Sequence, residues 1–167
     1  SLHIPWDIPN NYDKINSLAN ELNIKFDAVN SNTFQDQKGA KKSYKFGSLS
    51  NFNRTVREQA IQHNIDVIGI GDKLGSKSLT VWLADGSCFP GQSNFQKALQ
   101  NTQDSLKEIY KNLPPDWAML IEYNPYEPNF YSTVIQDWGT SFMLANECGD
   151  RAFTLVDLGH HLPNTNI

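Results

Sequence analysis

Cysteine and methionine are scarce in this chain, and long apolar runs are missing. Of 167 residues only Cys88 and Cys148 are cysteines. They lack metal-ligand spacing, so two reduced structural thiols are expected and a disulfide framework is not. No apolar stretch approaches the ~20 residues that span a bilayer, and no secretory leader opens the sequence, so a soluble, cytoplasmic protein without a membrane partner is expected. Positive charge is not in excess either: 14 Lys and Arg face 18 Asp and Glu, a net charge of −4. Spread along the chain, that charge offers no footprint for nucleic acid and no polybasic surface. Linkers, charge blocks and low-complexity tracts are absent, so residues 1–167 are taken as one domain, long enough for a packed core. The chain begins at Ser1, its methionines are Met119 and Met143, and it stops just past an expected strand end. A processed or partial chain is the expectation.

What is present is an alternation of element types. Over residues 10–22, Ile15, Leu18, Ala19 and Leu22 fall at helical spacing, and residues 24–29 alternate like a strand that ends in an Asn30-Ser31-Asn32 loop. From Asn53 onward, Val56, Ala60, His63, Val67, Ile70 and Leu74 mark one face of a long helix, with His63 as a packed residue of that face. Leu79–Leu83 reads as a strand. Phe95, Ala98, Leu99, Leu106, Ile109, Tyr110 and Leu113 form a helix stopped by Pro114-Pro115. Ala118–Ile121 is a further strand, Val134 to Ala145 a helix ending near Gly149, and Phe153–Val156 a last strand. Leu2–Ile4 fits the tail of an earlier one. Apolar strands alternating with helices imply a parallel sheet, either doubly wound or part of a (β/α)8 TIM barrel. A full barrel takes ~250 residues, so these elements would supply a little over half of one.

Polar and aromatic residues gather where the strands end. His3 is followed by Trp6 and Asp7; Asn30, Asn32 and Phe34 follow the second strand, and Trp82, Asp85 and Gly86 the third. Glu122 closes the fourth and Asp157 the fifth, with His160 and His161 beyond. Such clustering at carboxyl ends is how an α/β barrel builds an active site. Glu122 and Asp157 each follow four largely apolar residues, and if their strands pair, two carboxylates share one mouth of the sheet. Left bare they raise each other's pKa; a divalent cation removes the conflict, and His160 adds a nitrogen ligand. Carboxylate and imidazole donors suit Mn²⁺, Co²⁺ or Mg²⁺. The plainer reading, a helix cap or a solvated loop carboxylate, stays open beside the metal one. Gly69-Ile70-Gly71 has Leu74 where a dinucleotide fingerprint needs its third glycine, and Gly75-Ser76-Lys77-Ser78 lacks the upstream glycine of a phosphate loop. Nucleotide binding is not expected.

Leu2–Asp7, Phe26–Phe34, Ser43–Leu49, Thr80-Val81-Trp82, Phe89–Phe95, Tyr131–Val134, Gln136–Thr140 and Leu155–His161 together resemble L-rhamnose isomerase, in its branch of broad aldose–ketose specificity. The resemblance covers essentially the whole chain. It implies strands two to six of a xylose isomerase-like barrel, a homotetramer when complete, and two divalent cations per site, typically Mn²⁺. The reaction it implies is L-rhamnose to L-rhamnulose, with D-allose to D-psicose as a further conversion. Carried over by residue, Glu122 and Asp157 resemble ligands of the first metal and His160 a ligand of the second, with a catalytic role. His3 resembles the histidine that assists ring opening, and Trp82 and Phe34 resemble walls against the sugar. The family has a lysine two residues after the strand glutamate, where this chain has Asn124, a substrate-binding position. The alternative is therefore a non-catalytic remnant or sugar-binding fragment; a one-metal barrel epimerase would need a glutamate pair that Glu122 alone does not make.

Overall fold

Five short strands lie side by side as one parallel sheet. A computed structural model describes residues 1–4, 7, 12–125, 132–161 and 165–167; Trp6 and Tyr131, named above, lie outside them. The elements in chain order are β1 (Leu2–Ile4), α1 (Tyr12–Glu21), β2 (Ala28–Ser31), α2 (Arg54–Lys73), β3 (Ser78–Leu83), β4 (Gly86–Ser87), α3 (Phe95–Lys111), β5 (Ala118–Tyr123), β6 (Ser132–Thr133), α4 (Trp138–Cys148) and β7 (Ala152–Leu155). The large sheet runs β1-β2-β3-β5-β7, every neighbouring pair parallel.

Register sorts the side chains into two faces, because paired residues of parallel strands point the same way and successive ones alternate. One face carries Val29, Leu79 and Met119, then Val81 and Ile121, all fully buried. The helices α2 and α4 pack on the sheet, and α3 lies between them against both. Leu106 and Ile109 of α3 and Val67 of α2 close this core without exposure. The other face is chemical in character: His3, Asn30, Thr80, Leu120 and Phe153 form one row across five strands, and Trp82, Glu122 and Leu155 form the row above. Phe153 is half exposed there. With α2, α3 and α4 all on one face, this is the wall of a barrel rather than a doubly wound sheet, which would carry helices on both.

Helix ends follow the local chemistry. Asn53 caps α2 by accepting from Thr55 N, Asn94 caps α3 through Lys97 N, and Asp137 caps α4 through Thr140 N. That last cap starts α4 at Trp138, so Val134, expected inside the helix, precedes it. Two other expectations shift. The second strand is Ala28–Ser31, not residues 24–29: Ile24 is exposed, while Asn30 and Ser31, expected in a loop, are buried strand residues. Ser31 can be buried because its hydroxyl bonds Asn64 Oδ1 of α2, 33 residues away. The two-stranded antiparallel ribbon β4–β6 was not foreseen. His63 does sit half-buried on α2, where burial lowers its pKa. Cys88 and Cys148 are both free thiols, and burial pushes that of Cys148 up to about 11, leaving it protonated at neutral pH. Among the described residues no helix is long and apolar enough to cross a membrane.

Candidate active site

Glu122 is the last residue of β5 on the open side of the sheet, and its side chain is 12% exposed. Two residues past β7, Asp157 opens a single turn of 3-10 helix, Leu158–His160. Its Oδ1 accepts from Gly159 N at 2.7 Å and its carbonyl from His160 N at 3.0 Å, so the chain doubles back at once. Gly159 suits the turn: a Cβ there would lie 3.2 Å from Asp157 Oδ1. The doubling back lays His160 between the two carboxylates. Its Nδ1 is 3.6 Å from Glu122 Oε1, and its Nε2 is 3.5 Å from Asp157 Oδ2. Both separations exceed an ordinary hydrogen bond.

One donor atom from each of Glu122, Asp157 and His160 lies within 4.8 Å of the others. Burial pushes the Glu122 carboxyl upward from its ordinary pKa; His160 opposes the shift and Asp157 adds to it. His160 Nδ1 is buried and has no hydrogen-bond partner among the described residues. Two acids and a buried imidazole nitrogen without a hydrogen-bond partner, donor atoms within 4.8 Å of one another, are a donor set that fits a divalent cation. The capping reading and the cation reading of Asp157 prove compatible, since Oδ1 serves the turn while Oδ2 faces His160.

Aromatic rings flank the cluster. Trp82, the register partner of Glu122, stacks on His160 with centroids 6.3 Å apart, and Phe34 meets Trp82 edge-on at 4.8 Å. The structure therefore brings Glu122, Asp157, His160, Trp82 and Phe34 together. His3 stands apart, three strands from Glu122, about 14 Å along the sheet; it is exposed, and its backbone N–H donates to Asp7 Oδ2 at 2.7 Å. Asn124 follows the strand end but is fully buried, its N–H donating to Ile135 O at 3.2 Å and its carbonyl accepting from Thr133 Oγ1.

Asp85, which stood among the strand-end candidates, is spent on a loop. It accepts from Ser48 N (2.8 Å), Ser48 Oγ (2.9 Å), Ser50 N (3.0 Å) and Ser50 Oγ (2.7 Å). Ser48 Oγ also lies 3.1 Å from Thr33 Oγ1, next to Phe34. The latch thus ties the 43–51 loop to the segment that carries an aromatic wall. Asp85→Ala is expected to lower the unfolding free energy by about 2–3 kcal/mol, the scale for stripping a charged acceptor from partly buried donors. Urea unfolding reads this directly; a loss within the roughly 0.5 kcal/mol of an ordinary surface change would show the latch idle.

No family model matches the chain. Over 167 residues it is 54% identical to a probable sugar isomerase of Rhizobium meliloti, a match covering 100% of this chain and 39% of the relative. The chain thus spans about two fifths of the curated relatives it matches. Among solved structures, the IolI protein with a bound zinc atom superposes with a TM-score of 0.69 at 14% identity, covering 99% of this chain and 55% of that one. A D-allulose 3-epimerase from Methylomonas sp. gives a TM-score of 0.65 at 12% identity, covering 91% and 49%. These likenesses carry the fold alone: a TIM barrel, of which this sheet is a part. The sequence relatives are sugar isomerase-like.

Proposed function

We propose that this chain supplies part of the wall and the cation-binding rim of a metal-dependent aldose–ketose isomerase. L-Rhamnose to L-rhamnulose is the leading reaction and D-allose to D-psicose the second. The observation that carries the reading is the convergence of Glu122, Asp157 and His160 within 4.8 Å, beside the Trp82–Phe34 wall. Glu122 and Asp157 would hold one cation, with Mn²⁺, Co²⁺ or Mg²⁺ suited to the donors. His160, within 4.8 Å of both carboxylates, would hold that ion or join a second, whose other ligands would come from elsewhere in the full-length protein. A bound divalent cation supplies Lewis-acid stabilisation of charge developing on the sugar's C1 and C2 oxygens.

The remaining work falls to the chain itself. Trp82 and Phe34 offer apolar ring surface to the C–H face of a sugar and keep water from the reacting carbons. Trp82 stacks on His160 and helps hold the imidazole in one orientation, with Phe34 edge-on behind Trp82. His3 lies on the same face of the sheet but three strands away, so its proposed part in ring opening would require the sugar to reach across the mouth towards β1. Assembly as a cytoplasmic homotetramer belongs to the same proposal. The non-catalytic alternative draws on one observation: Asn124, where the resembling family has a lysine, is neutral and fully buried.

The test uses the full-length protein that carries this chain, incubated with L-rhamnose or D-allose and Mn²⁺. Ketose formation that is abolished by chelation and restored by added Mn²⁺ is expected. Stoichiometric Mn²⁺ binding without ketose from either sugar would replace the isomerase reading with the sugar-binding one.

A further inference from the structure

Adjacent residues on β5 point to opposite sides of the sheet, and the site uses only one of them. Glu122 faces the open side. Tyr123 faces the helices and is 2% exposed. The exit turn after β7 repeats the arrangement, with His160 against Glu122 and its neighbour His161 against Tyr123. The Tyr123 hydroxyl shares a hydrogen bond with His161 Nε2, and the two rings meet edge-on with centroids 5.4 Å apart. Two rungs therefore join the same two segments, one on each side of β5. The first rung is longer than a hydrogen bond and, like the Trp82 stack, bears on His160; the second adds a hydrogen bond that ties the far end of the 157–161 turn to β5.

We infer that Tyr123 and His161 are positioning residues that fix the exit turn so that Asp157 and His160 stay in register with Glu122 for a divalent cation. The inference rests on the cation reading of Glu122, Asp157 and His160. Packing supports the anchor's rigidity. Tyr123 stands next to Ile121, whose carbonyl accepts from Ser141 Oγ of α4 at 2.9 Å, so this end of β5 is pinned to a helix. The anchor touches no cation donor directly, and its removal leaves all three ligands chemically intact.

The experiment titrates Co²⁺ into the full-length protein, following visible absorption and calorimetric affinity. Tyr123→Phe is expected to weaken Co²⁺ binding about tenfold, the lower end of the effect of losing a supporting partner of a metal ligand, and to shift the Co²⁺ bands. His161→Gln, at a partly exposed position, is the second variant should Tyr123→Phe fold poorly. Tyr123→Phe/His161→Gln should add little beyond either single change, since both break one bond. Unchanged bands and affinity in folded single variants would overturn the inference, leaving the pair a packing contact. A wild-type protein that binds no Co²⁺ would instead overturn the cation reading beneath it.

Discussion

Glu122→Gln is expected to cost more than 100-fold in divalent-cation affinity, because loss of a supporting partner alone typically costs about 10–100-fold. Isomerase turnover in the full-length protein should fall with it. The amide keeps the shape and loses the charge, so the effect isolates the carboxylate. A second readout runs the other way. In the metal-free protein the Glu122 carboxylate is largely removed from water and repelled by Asp157, which is why its pKa is pushed upward. Neutralising it removes that cost, and the metal-free variant should melt at the same temperature as wild type or slightly higher. Calorimetric Mn²⁺ titration and thermal melting of the apo protein check the pair. Unchanged Mn²⁺ affinity would refute the ligand role, and a marked drop in apo stability would make Glu122 a structural residue.

The second large effect concerns two glycines separated by one residue in α2. A Cβ on Gly71 would lie 2.6 Å from Trp117 Cη2 and 2.7 Å from Val29 Cγ2, both in fully buried side chains. Neither neighbour has room to yield, so Gly71→Ala is expected to destabilise by about 1–3 kcal/mol through overpacking, and Gly71→Val by more. A Cβ on Gly69 meets nothing within 4 Å. Gly69→Ala should therefore stabilise by roughly 0.5–1 kcal/mol, the ordinary gain of alanine over glycine in a helix. Chemical denaturation of the two variants side by side checks the opposite signs. Equal effects would mean that Gly71 does not set the approach of α2 to β2.

Those glycines also mark how far local pattern reaches. Gly69-Ile70-Gly71 resembled the beginning of a dinucleotide motif, and the missing third glycine was enough to reject it. The true reason for Gly71, a helix lying against Val29 and Trp117, joins residues 42 and 46 positions apart and leaves no local trace. Helices α2 and α3 were legible from their 3.6-residue period, which begins near Asn53 for α2 and stops at Pro114-Pro115 for α3. The second strand was misplaced because burial of a polar residue such as Ser31 depends on Asn64, far along the sequence. The matched apolar runs before Glu122 and Asp157 displayed both carboxylates plainly, whereas the tight turn after Asp157 that brings His160 back showed only as an exit loop. The roles of Asp85 and Tyr123 were hidden, since each depends on what another loop presents to it. The alternation of elements alone left barrel and doubly wound sheet open; the family resemblance pointed to the barrel, and α2, α3 and α4 on one face agree with it.

The strict two-residue alternation of the sheet has an evolutionary consequence. Folding stability is lodged in Val29, Leu79, Val81, Met119 and Ile121, whereas the rows containing Thr80, Leu120 and Leu155 face the opposite way. Mutation can therefore explore new ligand preferences at every second residue while the intervening ones keep the scaffold intact. A lineage built on such a wall can diversify its chemistry without first acquiring surplus robustness.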